Sequence, residues 1–199
     1  MISHQYKCIF IHQRKAGGYS IISDFGFQIR EVEWHLYNDG TLSEEWKFRK
    51  TIAKGYIVFT VVRNPWDRFI SGWKYLNNYR DKTLAEVLQE ASNIKGPRDY
   101  KHLVRPQLDI LMNEKGIFVP DYVLRFENLQ EDYNKLSHII GKKESTLPRL
   151  NETSHEHYTA YFDSKTKKTF EALFKKDIDF FGYKFGKDCS NVKFSSKDL

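Results

Sequence analysis

The sequence predicts an α/β domain of three layers, with a central, mostly parallel sheet flanked by helices on both faces. Three observations carry that expectation. Short apolar runs at residues 8–11, 56–62 and 122–126 recur between segments of helical period. Two of these runs empty directly into loops that carry cations and open helices. The 199 residues, 40% hydrophobic and 16% aromatic, are enough to bury a core and too apolar for general disorder.

The first run, CIFI, is short enough for a buried strand and is followed by HQRKAGGYS, in which Lys15 precedes Gly17 and Gly18. The glycines give backbone freedom just before a helix over 19–27, whose apolar residues are Ile21, Ile22 and Phe25. A helix N-terminus offers open N–H groups and the positive end of a dipole, so a loop holding Lys15 at that place reads as a phosphate cradle. The usual P-loop has its Lys after the second glycine, followed by Ser or Thr; here the order is reversed. Residues 28–35 are expected to form a second short strand ending at Trp34-His35, and Asn38-Asp39-Gly40 a turn. Thr41 or Ser43 can then cap a helix through Trp46 and Phe48.

YIVFTVV, at 56–62, is the strongest strand signal, β-branched or aromatic throughout and apolar on both faces, as a central strand should be. In the Arg63-Asn64-Pro65-Trp66-Asp67-Arg68 that follows, Asn64 is placed to cap a helix and Pro65 to occupy its first position. Phe69, Ile70, Trp73 and Leu76 continue at helical spacing; Trp66, Phe69 and Trp73 are expected in the core, and Asp67 and Arg68 in structural ion pairs. Ligands of parallel α/β sheets bind at the carboxyl ends of strands, so Lys15 and Arg63 are expected to face one site. Further helices are expected over 83–91 and 99–112, a third strand over 122–126, a helix over 127–140, a polar loop over 145–158 and a last helix over 164–178. The domain is expected to span 1–186, with a frayed tail at 187–199.

A net charge of +6 favours an anionic ligand, whether nucleotide, acidic glycan, nucleic acid or membrane surface, and does not choose among them. Cys8 and Cys189 are too few and too far apart for a disulfide framework, and no Cys/His cluster has zinc spacing. No apolar run approaches the roughly 20 residues that span a bilayer, and there is no room for a signal peptide ahead of the first strand, so a cytoplasmic protein is expected.

FIHQRKAGGYS resembles the first nucleotide-binding motif, commonly FIHIPKTGGTS, of sulfotransferases that use 3′-phosphoadenosine 5′-phosphosulfate (PAPS). VVRNPWDRFISGW is very similar to their second motif, commonly FVRNPWDRLVSAY. The likeness continues through Arg105-Pro106-Gln107, LRFENL, LPRLNETSHEHY and DIDFFGY, covers the chain nearly end to end, and points to the small carbohydrate-type enzymes with their P-loop NTPase-like fold. It implies that Lys15 stabilises charge growing on the leaving phosphate, and that Arg14, Lys15, Ala16, Gly17, Gly18, Tyr19 and Ser20 hold the 5′-phosphosulfate. Arg63 and Ser71 would bind the 3′-phosphate, and His35 would be the base that takes the acceptor's proton. Gln107, Asn151 and Ser154 resemble positions near substrate or nucleotide. PAPS is the implied donor, the 3′,5′-bisphosphate PAP its product, no metal is implied, and the acceptor is a hydroxyl or amine of a glycan or other polar molecule, with no nucleic-acid partner. Arg14 stands where the family commonly has Pro, Ala16 where it has Thr, and Tyr19 where a second Thr lends its hydroxyl, with Ser20 available to supply that donor. Two other readings stay open: a Mg-dependent P-loop kinase, against which the missing GK[ST] counts, and a non-catalytic module that binds nucleotide or nucleic acid.

Overall fold

The computed structural model describes residues 1–27, 55–91, 93–94, 96, 99–113, 115–150 and 155–187. Its sheet runs in the order β1 (Ile2–Ser3), β2 (Cys8–Ile11), β3 (Ile57–Val62), β4 (Tyr122–Arg125). β1 is antiparallel to β2, whereas β2, β3 and β4 are mutually parallel, with Phe10 beside Phe59 and Val62 beside Arg125. The stacked rings of Phe10 and Phe59 and the hydrogen bond from Thr60 Oγ1 to the carbonyl of Ile11 lock the central register. Because the three strands are parallel, their carboxyl ends at Ile11, Val62 and Arg125 lie along one edge.

The period-two alternation of the strands divides the apolar side chains between two cores. Cys8, Phe10, Phe59, Val61 and Leu124 face one layer, where α1 (Gly18–Phe25) supplies Ile21 and Ile22 and α4 (Leu129–Ile139) supplies Tyr133 and Leu136. Ile11 and Val62 face the other, built on α2 (Pro65–Tyr75), α3 (Leu84–Ala91), α5 (Ser164–Leu173) and α6 (Lys175–Phe181). This layer holds Trp66, Phe69 and Trp73, as their helical spacing predicts; Trp66 stacks on Tyr158 and Phe170, and Phe69 meets Phe174 edge-on. The three expected layers are therefore present. Cys8 is a buried free thiol, held protonated by burial with its pKa pushed up to about 12.

Two expected helices differ. The segment over 99–112 is no continuous helix: a π-helical turn at Tyr100–Val104 gives way to extended backbone at Arg105, φ −62° and ψ 122°, and then a 3-10 turn at Leu108–Ile110. Pro106 is the cause, since a residue before proline is driven out of the α region. The final helix breaks at Phe174, φ −107° and ψ 18°, into α5 and α6, which lets Asp177 of α6 reach the backbone of residues 107 and 108. The strand expected over 28–35, the helix beyond Thr41, and the tail from 188 lie outside the described residues, as do His35, Asn151, Ser154 and Cys189.

Candidate functional site

β2 ends at Ile11, and His12-Gln13-Arg14-Lys15-Ala16 carry the chain across to α1. The crossing is tight enough to put Lys15 itself in a left-handed conformation, φ 64°, which a side chain rarely adopts and the surrounding contacts must hold. Gly17 caps α1 with φ 73°; among the described residues no side chain caps the helix end, and the Ser20 N–H turns back to the Gly17 carbonyl at 3.1 Å, so the N–H groups of Gly18 and Tyr19 are the ones offered to an anion. Neither Gly17 nor Gly18 tolerates a side chain. A Cβ on Gly17 would lie 2.8 Å from Phe126, and one on Gly18 2.1 Å from the His12 ring. Ala16 and Ser20 are buried beneath the loop, while Arg14 and Tyr19 are half-exposed.

At the end of β3, Asn64 caps α2 by accepting from the N–H groups of Trp66 and Asp67, with Pro65 at the first helical position, as the sequence predicts. Arg63 immediately before it donates from Nη1 to the carbonyl of Lys15 at 3.0 Å and from Nε to Asp67 at 2.7 Å. The two cationic junctions are thus in contact. Among the described residues two of the roughly five N–H donors of the guanidinium are engaged in this way. Ser71 is buried on α2, two turns beyond Arg63.

Lys15 reaches over the ring of Tyr75, 4.2 Å from its centroid, and Tyr75 stacks in turn on His102. Burial first, and then the charge of Arg63, lower the Lys15 pKa to about 8. His12 is wholly buried, with its Tyr19 neighbour edge-on, and among the described residues its Nδ1 has no hydrogen-bond partner. Burial, aided by the charge of Arg14, holds it neutral with a pKa of about 3.

The third junction, after β4, belongs to the site although only the LRFENL likeness pointed to it. The Phe126 ring lies against Gly17 and beneath the Arg63 guanidinium, 4.1 Å from its centroid. Glu127 accepts the N–H of Asn64 at 2.5 Å and the hydroxyl of Tyr183 at 3.1 Å, and its burial raises its pKa. His155 stands 3.9 Å from Asp67, at the Arg63 end of the site. Asp67 and Arg68 have the structural parts expected of them: Asp67 pairs with Arg63, while Arg68 is buried, donates to the carbonyl of Arg105 and is attracted by Asp177. No local pattern could have revealed the contacts of Phe126 and Glu127, because those with Arg63 and Asn64 each span 63 residues of sequence and that with Tyr183 spans 56.

Anchored cations at two strand ends beside an open helix terminus suit an anion with two charged groups. Among the described residues no group of three or more His, Cys, Asp or Glu is arranged to hold a metal ion, and no helix is long and apolar enough to cross a membrane. Comparison with known proteins finds the pattern of the sulfotransferase family over residues 27–184. Over 118 residues the chain is 33% identical to an uncharacterized protein of Archaeoglobus fulgidus, a stretch covering 57% of this chain and 94% of that one. No solved structure matches. The Lys15 loop precedes the matched stretch, and its place in the site rests on its contacts with Arg63 and Phe126. With a pattern that runs from the end of α1 to just past α6, on an α/β sheet whose cationic junctions meet at one edge, the chain belongs to the sulfotransferase family.

Proposed function

We propose that the protein moves a sulfuryl group from PAPS to a hydroxyl or amine of a polar acceptor, of which a glycan is the favoured class. The observation that carries this reading is the hydrogen bond from Arg63 Nη1 to the Lys15 carbonyl, which puts both cationic junctions in one site. The donor set fits a bisphosphate nucleotide: Lys15 and the N–H groups of Gly18 and Tyr19 at the uncapped start of α1 at one end, Arg63 and Ser71 at the other. When bound, PAPS supplies the sulfuryl group and a leaving group already poised to carry negative charge.

In this reading Arg14, Lys15, Ala16, Gly17, Gly18, Tyr19 and Ser20 surround the 5′-phosphosulfate, and Arg63 and Ser71 the 3′-phosphate. Lys15, protonated below pH about 8, supports the charge that develops on the bridging oxygen. Its ammonium lies over the Tyr75 ring, 4.2 Å from the centroid, which holds the side chain against the site. His35 is assigned as the base that removes the acceptor proton, by its place in the family pattern. The reading includes a single domain over 1–186 and a cytoplasmic setting.

Calorimetry with PAP, with ATP in the presence and absence of Mg2+, and with a single-stranded oligonucleotide tests it. Tight, metal-independent binding of PAP is the expected result. Binding of Mg-ATP in preference to PAP would replace sulfuryl transfer by phosphoryl transfer, and retention of the oligonucleotide alone would reduce the protein to a binding module. Replacing His35 by Ala should then abolish transfer to an acceptor and leave PAP affinity within about twofold.

A further inference from the structure

Gln107 belongs to neither cationic junction, yet it holds both. Its side-chain amide forms a reciprocal pair with the backbone of Arg63: Oε1 accepts the Arg63 N–H at 2.9 Å and Nε2 donates to the Arg63 carbonyl at 2.9 Å. β3 pairs with β4 only as far as Val62, so this amide takes over the backbone of Arg63 where the sheet stops. The carbonyl of Gln107 accepts from Gln13 Nε2, also at 2.9 Å, two residues past the end of β2. Gln107 is itself fixed, because the two oxygens of the buried Asp177 carboxylate take its N–H at 2.7 Å and that of Leu108 at 2.9 Å. The residue is fully buried, so its amide is committed to this bracing and does not meet solvent.

The geometry points to Gln107 as a positioning residue that sets the spacing between the Lys15 loop and Arg63, and with it selectivity for a nucleotide carrying both a 3′- and a 5′-phosphate over one carrying the 5′-phosphate alone. The inference rests on the PAPS reading of the site. The amide offers a donor and an acceptor at one planar end; an ionised Glu would turn a second oxygen against the Arg63 carbonyl, and Met would leave both backbone groups without partners. Neither change touches a ligand. What each disturbs is the placing of one phosphate site relative to the other. A ligand that spans both sites senses that spacing, and one that occupies a single site does not.

Calorimetric titration of wild type and of Gln107→Met with PAP and with adenosine 5′-monophosphate, which differ only in the 3′-phosphate, tests the inference. Wild type should prefer PAP, and Gln107→Met should lose about tenfold or more of that preference while its affinity for the monophosphate stays within about twofold. A general loosening of the fold would weaken both ligands alike; an unchanged ratio of affinities overturns the inference and leaves the PAPS reading standing. Absence of PAP binding by wild type overturns both. Should Gln107→Met fail to fold, as a thermal melt will show, Gln13→Met severs the other arm of the brace and is judged by the same ratio.

Discussion

The guanidinium of Arg63 donates to the backbone carbonyl of Lys15 at 3.0 Å, so the side chain of one strand end is bonded to the main chain of another. Its Nε is held by Asp67 and its face rests on Phe126, which fixes the plane of the fork. Lysine offers no such plane. Arg63→Lys should therefore weaken PAP binding by about tenfold or more in a calorimetric titration, with little change in melting temperature; affinity equal to wild type would show that the fork does not meet the nucleotide.

The Lys15 pKa of about 8 makes ligand binding a proton-linked event. Free protein loses the Lys15 charge as pH rises through about 8, whereas a bound phosphate favours the ammonium form, so binding at pH about 8.5 should take up a substantial fraction of a proton. Titrations in buffers of different ionisation enthalpy measure that uptake. It should disappear in Lys15→Arg, whose charge does not titrate in this range. An identical heat in every buffer would remove Lys15 from the phosphate site.

His12 should make the fold acid-sensitive. Its folded pKa of about 3 lies below its ordinary value of about 6.5, so between those limits the unfolded chain binds more protons than the folded one. The stability gained from keeping His12 neutral is complete above pH about 6.5 and is lost progressively as pH falls towards about 3. Urea midpoints at pH 7.5 and pH 5 should differ less in His12→Asn than in wild type; equal differences would assign the acid sensitivity to other groups.

Gly18→Ala places a methyl group 2.1 Å from the His12 ring at the first residue of α1. A buried ring so hemmed in moves only by displacing the loop, so the substitution should cost on the order of 1–3 kcal/mol by urea unfolding. It should also weaken PAP binding at least about tenfold. Gly26→Ala is the control: it has open space around it, and though its left-handed backbone, φ 67°, makes alanine unfavourable there, PAP affinity should be unaffected.

Asp177 offsets the buried charge of Arg68, whose pKa burial lowers to about 10, and caps two N–H groups at residues 107 and 108. Burial is the larger influence on both partners, raising the carboxylate and lowering the guanidinium. Removing the carboxylate leaves the cation without its counter-charge, and Asp177→Ala should destabilise the protein by on the order of 3–5 kcal/mol in chemical denaturation. A loss under about 1 kcal/mol would mean that Arg68 finds another partner.

The layers and the two cationic junctions were legible because they are written in local chemistry. YIVFTVV cannot hide a polar face, and Asn64-Pro65 states where α2 begins. The likeness of VVRNPWDRFISGW then identified the site more firmly than the Lys15 loop could, since that loop departs from the family at Arg14, Ala16 and Tyr19. What stayed hidden is the bracing. Gln107 looks like a ligand-facing residue in Arg105-Pro106-Gln107, and only tertiary structure turns its amide to the Arg63 backbone. The helix expected over 99–112 failed for a local reason that was present in the sequence, the backbone restriction imposed by Pro106 on Arg105.

Lys15, Arg63 and Glu127 sit at the ends of three parallel strands that lie far apart along the chain. The bonds that join the junctions, from Arg63 to the Lys15 carbonyl and from the Asn64 N–H to Glu127, exist only once β2, β3 and β4 have paired, and each pairing closes a long loop. The site is therefore a property of the paired sheet rather than of any one strand-to-helix segment. A ligand that bridges Lys15 and Arg63 acts in reverse as a clasp on the whole sheet, raising the free energy of its global opening by RT ln(1 + [L]/Kd). Amide hydrogen exchange should register that clasp most strongly at the central strand residues Phe59 to Val62, which touch no ligand, as well as in the loops that do.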